Sequence, residues 1–117
     1  MKNQERHAAA NRRLADAVLG SAGATSPDLR RAIEARAAVL GGGQRPESPP
    51  LPEPLAAWVE KVARHAYKTT DEDVEALKHA GYSEDEIFEA TVATALGAGL
   101  ARLERGLAAL RGEDSHG

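Results

Sequence analysis

With 117 residues and a mass of 12.3 kDa, the chain can build one hydrophobic core but not two. Fifteen basic against eighteen acidic residues leave a formal charge of −3, which excludes the broad basic footprint of most nucleic-acid binders. Cysteine is absent, so disulfides, thiolate metal sites, thioether-linked haem and every thiol-based mechanism are excluded.

Hydrophobic residues make up 42 % of the chain and aromatic ones only 3 %. Its core must come from Ala, Leu, Val and Ile, which suits close-packed helices and predicts an all-α fold. Charges or prolines interrupt every apolar run, so no membrane span is expected. Arginines stand where an export signal needs its apolar stretch, so a cytoplasmic location is expected.

Residues 4–19 read as a first helix, with Leu14, Ala17 and Val18 sharing a face. Gly20-Ser21-Ala22-Gly23 follows as a flexible joint that separates residues 1–24 from a helical domain over 25–112. Ser26, Pro27 and Asp28 open a second helix as N-cap, first helical residue and dipole partner. Leu29, Ile33, Ala37 and Leu40 line one face of it until Gly41-Gly42-Gly43 stops it. The next stretch, GGGQRPESPPLPEP, holds five of the six prolines and reads as an extended connector, with an SH3-type ligand as the sharper alternative.

A third helix is expected over 55–67, with Leu55, Trp58 or Val59, Val62 and Ala66 facing inward. Thr70 and Asp73 form an imperfect cap for a fourth helix that carries Val74 and Leu77 and closes at Gly81. Ser83-Glu84-Asp85-Glu86 is a full capping box. The long helix it opens repeats Phe88, Val92, Leu96, Leu100, Leu103, Leu107 and Leu110 at three- and four-residue spacings. Gly97, Gly99 and Gly106 are costly inside a helix, so Ala95-Leu96-Gly97-Ala98-Gly99 reads as a close helix crossing, with a pocket floor as the alternative. Residues 113–117 are polar and read as a disordered tail.

Ala80-Gly81, Ser83 and Glu86-Ile87 within LKHAGYSEDEIFEATVATALGAGLARLERGLAAL, preceded by SPDLRRAIEARAAVLGGG, a leucine-proline turn and WVEKVARHA, resemble the carboxymuconolactone decarboxylase and alkylhydroperoxidase D-like superfamily. The resemblance spans roughly residues 25–110 and implies a bundle of about five helices ending in a long one. Redox members of that family carry Cys-x-x-Cys, a histidine four residues on and a glycine eight further. Counted back from Gly81, the histidine position is Asp73 and the cysteine positions are Thr69 and Ala66. Thiol peroxidase chemistry needs an attacking thiolate and a resolving thiol, and this chain supplies neither.

Two functions follow from the resemblance. One is a non-peroxidatic binding or assembly module that forms a homo-oligomer, a trimer or hexamer as in the family. Such a small domain, with more apolar positions on its last helix than one side can hide, gives an independent reason to expect association. The other is a cysteine-independent enzyme acting on a small organic acid or lactone. Its site would be His65, Tyr67, Lys68 and Asp73, where a lysine, an acid and an imidazole could stabilise an enolate or move a proton. Asp73 also has a plainer role as cap partner of Thr70.

His79, beside Lys78, suits the negative end of its helix, and with Glu75 or Glu84 it is half a metal site at best. His7 and His116 lie near the ends of the chain. No metal and no cofactor is expected. Arg30, Arg31 and Arg36 read as a solvated helix flank, with an anion clamp as the alternative. The arginine-rich first helix is a third, weaker candidate surface for a protein or an anionic partner.

Overall fold

A computed structural model describes the backbone of residues 2–112 and the side chains from residue 9 onward. Expectations for the side chain of His7, for His116 and for the tail 113–117 lie outside the described residues. The chain folds into α1 (Lys2–Gly20), α2 (Pro27–Leu40), α3 (Leu55–His65), α4 (Asp71–His79) and α5 (Glu84–Leu110). A 3-10 turn over Ala66–Lys68 joins α3 to α4, and no strand occurs among the described residues. The protein is all-α, and none of its described helices is long and apolar enough to cross a membrane.

The helix ends lie where local chemistry puts them. Ser26 Oγ accepts the Leu29 amide at 3.1 Å, with Pro27 at the first helical position. At Ser83 the box is reciprocal, with Glu86 N donating to Ser83 Oγ at 3.1 Å and Ser83 N to Glu86 Oε1 at 2.9 Å. The Thr70 cap is complete rather than imperfect: Asp73 N donates to Thr70 Oγ1 at 3.2 Å, and Thr70 N donates to Asp73 Oδ2 at 2.9 Å. Aspartate, one methylene shorter than glutamate, still reaches back over the turn. α4 ends in a Schellman motif, with Gly81 at φ +103° and the Tyr82 amide donating to the Leu77 carbonyl at 3.1 Å.

The core is centred where α2 lies against α5, the most extensive helix contact in the molecule. Both helices present small side chains there: Ala37 and Ala38 from α2, and Ala90, Ala93, Gly97, Ala98 and Ala101 from α5. The approach is so close that a Cβ on Gly97 would overlap the Glu34 carbonyl oxygen and lie 3.1 Å from Ala37 Cβ. One on Gly41 would lie 2.7 Å from the Ala98 carbonyl. Leu19, Ile33, Leu55, Trp58, Val59, Leu77 and Ile87 complete the core around this seam, the aliphatic ones each contributing about 1.5–3 kcal/mol of burial.

In three helices burial does not follow the apolar lines of the sequence. In α1 the buried residues are Ala15 and Leu19, while Leu14 is 56 % exposed. In α3 burial continues from Val59 to Ala63, and Ala66 is exposed in the turn beyond. In α5 the line of larger apolar residues splits, with Val92, Leu96, Leu100 and Leu107 half-buried and Leu96 packed on the core. The small residues point inward, and Phe88, Leu103 and Leu110 are exposed.

Candidate functional site

The enzyme reading depends on the corner between α3 and α4. Ala66 and Thr69 occupy a single turn, in which Thr69 N and Oγ1 both donate to the Ala66 carbonyl at 3.1 and 2.8 Å. The two positions that resemblance assigns to a redox pair are thus neighbours, holding a methyl group and a hydroxyl engaged with the backbone. His65 and Tyr67 meet edge to face with ring centroids 5.9 Å apart, and Lys68 Nζ lies 5.9 Å from the Tyr67 ring. This stack faces solvent, and Tyr67 is 80 % exposed.

Asp73 is not part of that stack. Its carboxylate accepts from Lys61 Nζ at 2.9 Å as well as from Thr70 N. The Lys61 bond, followed by the Thr70 amide, holds the carboxyl below its usual range. An acid so placed remains an ionised acceptor at neutral pH and is poorly suited to carry a proton. Beside it is a cleft of about 80 Å³ walled by Pro54, Ala57, Trp58, Lys61, Asp73 and Ala76. Trp58 fills the inner side, with Nε1 donating to Thr91 Oγ1 at 3.0 Å. His65, Tyr67 and Lys68 do not line the cleft, so the four candidate residues do not converge on one cavity.

A polar cluster that the sequence did not reveal lies at the other end of the core. Arg30, read as solvated, is 4 % exposed. Its guanidinium donates to the carbonyls of Val18 and Ser21 and to Ser21 Oγ. Glu89 accepts from Ala24 N at 2.7 Å, Thr25 N at 2.9 Å and Thr25 Oγ1 at 2.5 Å. The Thr25 hydroxyl, then the Thr25 and Ala24 amides, bring the Glu89 carboxyl down to about 2, and the charge of Arg30 adds a smaller part. The stretch 20–23, read as a flexible joint, is held by this pair of side chains, Arg30 at Val18 and Ser21 and Glu89 just beyond it at Ala24 and Thr25. Its partners are all the chain's own backbone and hydroxyl groups, so the cluster is scaffold.

A groove of about 680 Å³ runs between α2, the proline-rich strap and α3. Arg36, Glu47, Glu53 and Glu60 border it with mixed charge, and Arg45 at its edge is paired to Glu34 at 2.5 Å. No group of three or more His, Cys, Asp or Glu able to hold a metal occurs among the described residues.

The feature with most unsatisfied chemistry is the outer face of α5. Phe88, Val92, Ala95, Gly99, Leu103, Gly106 and Leu110 follow one another at three- and four-residue steps, opposite the buried stripe. Phe88 is 68 % exposed, Leu103 45 % and Leu110 82 %; Ala95, Gly99 and Gly106 are also exposed, and Val92 is half-buried. Polar neighbours along one edge turn away from this strip. Arg102 donates to the Ala63 carbonyl at 2.5 Å, and Thr91 is occupied by Trp58 and its own helix. The strip is thus an apolar surface about 33 Å long, at 1.5 Å per helical residue, of the kind that marks an interaction site. Compared with known proteins, the chain matches no family model, no curated protein and no solved structure.

Proposed function

We propose that this protein is a non-peroxidatic, self-associating helical module, a carboxymuconolactone decarboxylase-like scaffold that works through assembly instead of thiol chemistry. The supporting observation is the second apolar face of α5. A helix with one apolar face needs one partner surface, and α5 carries a second apolar strip opposite the one that the chain's own helices cover. The family part of the reading draws support from the order of helices, and from Ala66, Thr69 and Asp73 falling in the turn and helix that lead to Gly81. The scattered arrangement of His65, Tyr67, Lys68 and Asp73 favours assembly over the enzyme alternative.

Light scattering during gel filtration tests this directly. The expected species at micromolar concentration is a homo-oligomer, and a monomer there refutes the reading. Replacing Leu103 by glutamate places a charge on the strip without touching the core. It is expected to return the protein to monomers with its helical circular dichroism intact.

A further inference from the structure

The geometry points to a specific partner for the outer strip: α5 of a second copy, running antiparallel about a two-fold axis at Gly99. This rests on the self-association reading and adds its arrangement. The strip is a palindrome in spacing. Ala95 and Leu103 lie four residues either side of Gly99, Val92 and Gly106 seven, and Phe88 and Leu110 eleven. Antiparallel pairing therefore sets Leu103 on Ala95 of the second copy, Val92 on Gly106, Phe88 on Leu110 and Gly99 on Gly99. The two inner flanking layers each join a bulky side chain to a small one, the outermost joins Phe88 to Leu110, and the smallest layer lies at the axis. Parallel pairing stacks like on like. Three layers would then hold only glycine or alanine and leave voids, against the close packing that apolar interfaces require.

The glycines supply an independent observation. A Cβ on Gly97 collides with α2, so its glycine is explained within the chain. A Cβ on Gly99 or Gly106 meets nothing within 4 Å, and no positive φ requires glycine at either. Both sit in a helix interior, where glycine is disfavoured, and both face outward. A second backbone crossing closely at Gly99 gives them a reason. Antiparallel alignment also sets the two helix dipoles in opposition, which parallel pairing does not. A two-fold contact makes dimers or even-numbered assemblies, so a hexamer with two-fold axes can contain it and a simple cyclic trimer cannot.

Because the chain has no cysteine, introduced thiols report the pairing cleanly. Ala95→Cys and Leu103→Cys are made separately, mixed in equal amounts and oxidised, and the linked peptides are identified by mass. Antiparallel pairing is expected to give mainly the 95–103 disulfide, with little dimer from either variant alone. Like positions would be about 12 Å apart along the axis, beyond the reach of a disulfide. Self-linked 95–95 and 103–103 products overturn the antiparallel arrangement. Absence of any link while light scattering still shows an oligomer overturns this interface and leaves self-association standing; a monomer by light scattering overturns both. As a second measure, Gly99→Leu is expected to raise the dissociation constant at least tenfold while the isolated subunit stays folded, and an unchanged constant overturns the proposal.

Discussion

Gly97 and Gly99 are two residues apart on the same helix and face opposite ways. At Gly97 the missing Cβ is what lets the α2 backbone come within contact distance; at Gly99 the same absence opens onto empty space. The inner side of α5 is small because its partner is close, and a strip with matching small residues on the outer side implies a partner just as close. Packing of the first kind is complete within one chain. On the proposed reading, the second kind is complete only between chains.

The sharpest way to break the contrast is to enlarge the inner position. Gly97→Leu drives a side chain into the Glu34 carbonyl and Ala37, and backbone cannot rotate out of the way as a flexible side chain can. The expected loss is about 3 kcal/mol, at the upper end for overpacking a core. Urea unfolding at low protein concentration would show it as a large drop in midpoint. An unchanged midpoint would mean that the α2–α5 seam is looser than the structure places it.

Next in size is the clasp that fastens Ala24 and Thr25 to the flank of α5. Glu89→Gln removes the charge that three donors share and is expected to cost about 2 kcal/mol, the worth of a hydrogen bond to a charged group. The pH dependence has a definite sign. The folded-state pKa is lowered from 4.5 to about 2, so folding favours the ionised carboxylate. Its contribution is complete above the unfolded value and disappears as pH falls from about 4.5 through about 2. Unfolding midpoints measured across that window should fall less steeply for the Gln variant than for the parent. Parallel profiles would assign the acid sensitivity to other carboxylates.

These two sites also mark what the sequence could and could not reveal. Helix starts and stops were legible because caps are local: Ser26, Thr70, Ser83, Gly41 and Gly81 each act within a few residues. Even the competing roles of Asp73 could be weighed, since its cap partner is three residues away. The close crossing read at Ala95–Gly99 is present at Gly97 and Ala98, but periodicity, which detects that a face is apolar, could not choose between the two sides of α5 for the rest of the helix. Read by size, the Phe88–Leu110 line is the natural core; the structure chooses by distance of approach, which favours Ala93, Gly97, Ala98 and Ala101. Arg30 was missed for a related reason. Its acceptors are the carbonyls of Val18 and Ser21, and backbone acceptors leave no trace in residue identity. The candidate enzyme cluster failed to converge because the chain turns at Ala66–Lys68. That turn leaves His65, Tyr67 and Lys68 on the outside of the corner and Asp73 on the α3 side, against Lys61.

The smallest expected effect discriminates best, because its two parts have opposite signs. Gly99→Ala adds one methyl group where this chain leaves open space, so in dilute solution it should stabilise the subunit by about 0.5–1 kcal/mol through helix propensity alone. At concentrations where copies associate, the same methyl group separates the two helices at their point of closest approach and weakens the assembly. Unfolding followed at two concentrations, one below and one above association, would register a gain in the first and a smaller gain or a loss in the second. A gain of equal size in both would mean that Gly99 faces water in the assembly as well, and the likeness between the two faces of α5 would then be one of composition only.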